Sequence, residues 1–407
     1  MAEFDWIDDG GVTSPAGFRA GGVYTGIKRY GDEPRLDLGL LAWGSPTRVA
    51  GVFTTNAVVG ESVLWNRALV AGGKGAGALV VNSGNANTVT GEQGARDCRR
   101  IAELAASKVG LQPEEVLVGS TGVIGRLLPM DLVEQGIRSV ELAEDGGARF
   151  ARAIMTTDTH PKECALRVKI GGRDYVVGGC AKGSGMIHPN MATMFAFLTT
   201  DAPVGGAWLQ ATLRSVVDRT FNMVDVDMDT STSDMGLLIS SGAGGGQVVD
   251  GSHPDEERLR EGIQAVATRL ARAIARDGEG ARALLEAVAE GAASVEDARR
   301  AARTIVSSPL VKTMVVGRDP NWGRVMMAAG RSGARVDQRR ASVWIGEHCV
   351  LEGGTPTPVD LALVSRAMAA EEVRIRIDLG TGGVGTATAW GCDLTEDYVR
   401  INADYTT

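Results

Sequence analysis

The chain is poor in cysteine, histidine, aromatic residues and positive charge, and each shortage narrows what it can do. Its five cysteines, Cys98, Cys164, Cys180, Cys349 and Cys392, are scattered, odd in number and form no CxxC pair. That speaks against a disulfide framework or a dithiol redox motif, and fits small core residues in a reducing cytoplasm. The four histidines, His160, His188, His253 and His348, are spaced like no zinc site. No apolar run approaches a bilayer span. The opening MAEFDWIDDGG carries Glu3, Asp5, Asp8 and Asp9 but no basic region or apolar stretch, so neither a secretory signal nor a transit peptide is expected. With 42 Lys and Arg against 50 Asp and Glu, the net charge of −8 argues against a nucleic-acid partner. A cytoplasmic protein with no membrane contact is the expectation.

Glycine is plentiful. Fifty-five Gly among 407 residues is about twice ordinary usage and implies many tight turns and close backbone approaches. The length suggests two or three packed units. Short β-branched runs alternate with Gly turns over the first eighty residues, at Gly21 to Tyr24, Leu36 to Trp43, Val49 to Thr54 and Ala78 to Val81. A helix follows the turn cluster NSGNANTVTGEQG, with Ile101, Leu104, Ala105 and Val109 on one face. Leu117 to Gly125 reads as a strand breaking into a Gly-rich loop. A second helix carries Leu259, Ile263, Val266, Leu270 and Ile274, with acids first and arginines last, and stops at Asp277-Gly278. Ser294 with Asp297 predicts a helix start, Met314 to Val316 reads as a strand, and Val373, Ile375 and Ile377 alternate as another. A boundary near Leu285 and a smaller α/β unit over 286–385 are expected, with a polar tail after it.

Two motifs fail on context. Gly380-Thr381-Gly382-Gly383-Val384-Gly385 matches GxGxxG, but β-like Thr386 to Trp390 follows where a dinucleotide site needs a helix. Asp225, Asp227 and Asp229 alternate like calcium ligands, yet Thr230 and Gly236 stand where an EF-hand needs Gly and Glu. A strand with carboxylates on one side is the simpler reading, and no metal is expected. His188 before Pro189 is a loop residue or a catalytic one.

One residue invites chemistry. Thr193 separates the Gly- and Pro-containing KGSGMIHPNMA from the apolar run Met194-Phe195-Ala196-Phe197-Leu198. Such a Thr is ordinarily a buried hydroxyl bonded to backbone. A chain cut before it would instead supply the hydroxyl with a base, the α-amine of the same residue.

The ordered motifs GFRAGGVYTGIK at Gly17, GVFTTN at Gly51, GNAN at Gly84, STGVIG at Ser120, MTTDT at Met155, KGSGMIHPNMAT at Lys182, DTSTSD at Asp229, DGEGA at Asp277, DPNWGR at Asp319 and the closing INADYTT resemble the glutamate N-acetyltransferase (ornithine acetyltransferase) family of arginine biosynthesis. The match runs nearly end to end. The resemblance implies an α/β fold, a layered α-β-β-α sandwich of the kind shared with self-processing aminopeptidases. It also implies self-cleavage between Ala192 and Thr193 into chains 1–192 and 193–407, with the tail 386–407 rejoining the main unit and a heterotetrameric assembly. Thr193 would be the nucleophile, and Thr121 with Gly122 the oxyanion hole. Substrate contacts would fall on Thr157, with Thr156 and Thr159 as neighbours, and on Lys182, Thr193, Glu279, Asn402 and Thr407. The implied reaction moves an acetyl group from N2-acetylornithine to glutamate without a metal or organic cofactor, with acetyl-CoA open as a second donor. Read from residue type alone, Lys182 and Glu279 are surface charges or a grip on the charged ends of an amino acid.

Met228, Ser233, Met235 and Val89 depart from the family's usual residues, which leaves open another acyl acceptor. An aminopeptidase or amidase on the same machinery, or a binding protein that is never cleaved, are the rival readings.

Overall fold

The computed structural model describes residues 4–28, 34–188 and 194–404. Two sheets lie face to face. One has six strands, ordered Asp5–Ile7, Lys162–Ile170, Arg173–Lys182, Phe195–Thr200, Met235–Ser240 and Val49–Phe53. The other has four, ordered Arg19–Val23, Leu38–Thr47, Ala76–Asn85 and Val116–Val123. Side chains alternate along each strand. Phe195, Phe197, Leu237 and Ile239 therefore meet Leu41, Leu79, Val81 and Leu117 between the sheets. Ala196, Leu198 and Leu238 face outward onto helices Gly206–Arg219 and Glu256–Arg276. Val80, Val116 and Val118 face outward onto helices Gly91–Val109 and Met130–Ser139. Both faces of both sheets are covered, which is why their strands read as unbroken apolar runs. The order is helix, sheet, sheet, helix, as expected.

A third, seven-stranded sheet runs Val224–Asp225, Gly385–Cys392, Leu284–Ala292, Glu372–Asp378, Ser342–Ile345, His348–Glu352 and Thr355–Pro356. Residue 285 lies inside its strand Leu284–Ala292, and Gly385–Cys392 pairs alongside. Ser294 caps helix Val295–Val306 by accepting from the Asp297 amide at 3.1 Å.

Two local expectations need correcting, on Met314 to Val316 and on the acidic triplet. Met314 to Val316 lies in helix Pro309–Gly317, where Pro309 opens the first turn and Val311, Met314 and Val315 bury at helical spacing. A short apolar run does not distinguish helix from strand. The polar tail forms helix Glu396–Asp404. Of the acidic triplet only Asp225 is in a strand, Val224–Asp225. Among the described residues no helix is long and apolar enough to cross a membrane.

Candidate active site

Strand Phe195–Thr200 pairs antiparallel with Arg173–Lys182 and parallel with Met235–Ser240, with Lys182, Phe195 and Met235 in register. One sheet end therefore gathers the last residue of one strand and the first of two others. Paired residues share a face. Lys182 is accordingly buried, its ammonium 5.8 Å from the centre of the Phe195 ring. Ala192, Thr193 and Thr407 lie outside the described residues. The chain is described again from Met194, whose carbonyl accepts from the Met235 amide at 2.9 Å.

The four-stranded sheet brings Thr121 and Gly122 to the same end. Its parallel pair sets Ser83 beside Thr121 and Gly84 beside Gly122. Leu117 faces the space between the sheets, and so, by alternation, does the buried Thr121. A hydrogen bond of 3.1 Å between the Thr88 and Thr232 hydroxyls ties this end to the segment leading into Met235. Gly122 has φ +125°, and a Cβ there would lie 2.3 Å from the Gly84 carbonyl carbon. No larger residue fits.

A buried charge cluster completes the base of the site. The Lys162 ammonium donates to Asp158 and Asp277, both at 2.6 Å. Asp158 also accepts from the Gly183 amide at 2.7 Å and the Thr156 amide at 3.0 Å. Burial alone would raise the Asp158 carboxyl, but the ammoniums of Lys162 and Lys182 and these hydrogen bonds bring it to about 2. Lys182 donates to the Thr156 hydroxyl at 3.1 Å. Burial lowers its pKa, opposed by Asp158, Asp234 and Glu279. Asp234, fully enclosed just ahead of Met235, is pushed well up by burial, and its Oδ2 has no hydrogen-bond partner.

The opposite wall is built on residues 184–187. The Ser184 hydroxyl donates to the Asp277 carbonyl at 2.6 Å, and its own carbonyl accepts from the Glu279 amide at 3.0 Å. A Cβ on Gly185 would lie 2.4 Å from the Glu279 carboxyl carbon, so that glycine lets the backbone rest on the carboxylate. Asn402, on the last helix, donates to Glu279 Oε2 at 2.8 Å. Asp227 accepts from the amides of Met186 and Ile187 at 2.6 and 2.9 Å, so this carboxylate of the acidic triplet fastens the wall. His188 Nδ1 lies 2.6 Å from Asp225 Oδ1.

The structure thus collects Thr121, Gly122, Lys182, Glu279 and Asn402 at one end of the sandwich. Within MTTDT the three threonines differ. Thr156 meets Lys182, Thr159 is bonded through its amide and hydroxyl to Asp277, and Thr157 is half-buried between them. Asp158, Lys162 and Asp277 were missed from sequence, although Asp158 and Asp277 stand inside quoted motifs. Met228 adopts φ +66° and Val89 adopts +56°. Both are conformations that favour glycine, so each side chain there is held at a cost in backbone strain.

The ArgJ family model matches residues 19–407. An arginine biosynthesis bifunctional protein ArgJ from Symbiobacterium thermophilum is 49% identical, over 99% of this chain and 100% of its own. The one from Thermus thermophilus is 50% identical over 97% and 100%. A crystal structure of the Bacillus halodurans protein of that name is 42% identical with a TM-score of 0.51, covering 52% of this chain and 100% of the solved one. Matched along nearly all its length at this identity, the chain belongs to the ArgJ family.

Proposed function

We propose that this chain is an acetyltransferase of arginine biosynthesis that moves acetyl from N2-acetylornithine to glutamate, after cleaving itself between Ala192 and Thr193. The observation that carries the reading is the convergence of Thr121, Gly122, Lys182 and Glu279 where strand Phe195–Thr200 begins, two residues after Thr193. Family membership supports the same reaction, and the relatives' name, bifunctional, supports acetyl-CoA as a second donor. The Bacillus halodurans chain corresponds to 52% of this one, close to the share that residues 193–407 make up, which supports a protein of two processed chains.

The chemistry is ping-pong. Thr193 Oγ attacks the acetyl carbonyl carbon while its own α-amine takes the hydroxyl proton. Thr121 and Gly122 donate to the oxyanion, a contribution typically worth about 10²–10³ in rate per donor. The C–N bond breaks, that proton passes to the departing amine of ornithine, and acetyl-Thr193 remains. The glutamate amine then attacks the ester, its surplus proton returns through the α-amine to Oγ, and N-acetylglutamate leaves. Lys182 holds the substrate α-carboxylate and Glu279, steadied by Asn402, the side-chain ammonium of the donor. Thr157 and Thr407 are further contacts in this reading, which extends to a cytoplasmic heterotetramer of the two chains.

Incubation with N2-acetylornithine and glutamate tests it. Ornithine and N-acetylglutamate should form in equal amounts; acetate in place of N-acetylglutamate would mean a hydrolase.

A further inference from the structure

The reaction proposed above uses a group that cleavage creates, the α-amine of Thr193, which turns cationic each time it takes the hydroxyl proton. A cation formed in a buried site needs an anionic partner. Most carboxylates at this end of the sandwich already have partners. Asp158 and Asp277 are bonded to Lys162, Glu279 to Asn402, and Asp227 to two backbone amides. Asp234 differs. It is 2% exposed, and among the described residues its Oδ2 has no hydrogen-bond partner. A buried oxygen of that kind calls for an explanation.

Backbone pairing brings Asp234 to the start of strand Phe195–Thr200. Phe195 is in parallel register with Met235, and the Met194 carbonyl accepts from the Met235 amide at 2.9 Å. Asp234 therefore stands one residue before Met235 as Met194 stands one before Phe195, on strands about 4.8 Å apart. Thr193 is the next residue back, its Cα about 3.8 Å from that of Met194. On the other side the Asp234 backbone is fixed by its carbonyl, which accepts from the Thr54 amide at 3.1 Å. The groups acting on the carboxyl are few. The Ser231 hydroxyl, three residues earlier, favours the ionised form, and so does Lys182, two strands away. The Lys182 ammonium itself donates to the Thr156 hydroxyl, with Asp158, Glu279 and Lys162 as its other charged neighbours.

Resting on that function, we propose that Asp234 is a positioning residue for the nucleophile: its carboxylate accepts from the Thr193 α-amine once the chain is cut, and stabilises the ammonium formed in each attack. Before the cut this nitrogen is an uncharged amide, so cleavage supplies the cation that the carboxyl lacks. The proton balance of acetyl transfer is unchanged, because the carboxylate accepts a hydrogen bond and takes no proton. Burial pushes the Asp234 carboxyl well up, and an ammonium beside it favours the ionised form. By the same coupling the carboxylate raises the pKa of the amine.

Two measurements test this. In a crystal structure of the cleaved protein the Thr193 nitrogen should lie within about 3.2 Å of an Asp234 carboxylate oxygen. A separation beyond about 4 Å overturns the proposal, whatever any variant does. The second measurement is the pH profile of kcat/KM for N2-acetylornithine, with glutamate as acceptor, in Asp234→Asn. Its acid limb reports protonation of the amine that serves as base. Without the carboxylate the midpoint should move to lower pH by about one unit or more, and the plateau kcat should fall about tenfold or more with KM within about threefold of wild type. The midpoint does not depend on how much of the protein is folded and cut, so a merely structural role would lower activity without moving it. An unmoved midpoint in an active Asp234→Asn protein overturns the role of Asp234. A wild-type protein that remains a single chain overturns the function proposed above, and this role with it.

Discussion

Two regions of this molecule are rich in ion pairs, and they use charge in opposite ways. Arg272 of helix Glu256–Arg276 bridges Glu286 and Glu372 of the seven-stranded sheet, where Arg374 reaches Glu286 at 3.3 Å and Arg376 reaches Glu290 at 2.7 Å. Those arginines are partly exposed, so water and salt share in solvating them. At the end of the sandwich, the side chains of Lys162 and Asp158 are wholly enclosed, and Asp277 nearly so. There each charge exists only because its partners are in place. The first network can lose one of these exposed arginines, because the buried Glu286 keeps another arginine and the Trp390 indole N–H as partners. The second cannot.

Removing one partner from each region separates them most sharply. Lys162→Met leaves Asp158 and Asp277 buried without their cation and should cost on the order of 3–5 kcal/mol in denaturant unfolding. Equal, small losses for Lys162→Met and for an arginine on the sheet would erase the distinction. Gly122→Ala acts at the same end by sterics, driving a methyl into the Gly84 backbone. It should lower acetyl transfer at least about 10²-fold, and a variant retaining wild-type kcat would remove the Thr121–Gly122 pair from the chemistry.

Acid probes the buried cluster without mutation. Asp158 is held at about 2 in the fold, below its unfolded value near 4, so its contribution is complete above that unfolded value. It is lost as pH falls from about 4 toward 2, and is on the order of 2 kcal/mol. Unfolding free energy measured across that range should drop in the wild-type protein and drop less in Asp158→Asn. The smallest effect belongs to the open network: Arg374→Ala should change stability by less than about 1 kcal/mol, and less again at high salt.

The apolar alternation and helix stripes that build the sandwich were legible in the sequence, because burial on both faces leaves continuous runs such as Met194 to Leu198. Met314 to Val316 was misread because three apolar residues carry no period. At the site, the quoted motifs contain most of the residues that the fold gathers, but not all of them. Lys182 and Glu279 come together across nearly a hundred residues, and nothing local announces it. Lys162 lies outside the quoted motifs, and its importance comes from Asp277, which is distant in sequence and adjacent in space. Lys28 stands at the end of GFRAGGVYTGIK, where a lone lysine looks like a surface charge; only the fold shows it buried against Met155.

The central claim is that the buried end of the sandwich serves a nucleophile created by chain cleavage. Intact-mass measurement of purified protein incubated with N2-acetylornithine tests it most directly. The account predicts two polypeptides, 1–192 and 193–407, with one acetyl group gained on the second at Thr193, and a single unmodified chain for Thr193→Ala. An uncleaved wild-type chain that still transfers acetyl would contradict it.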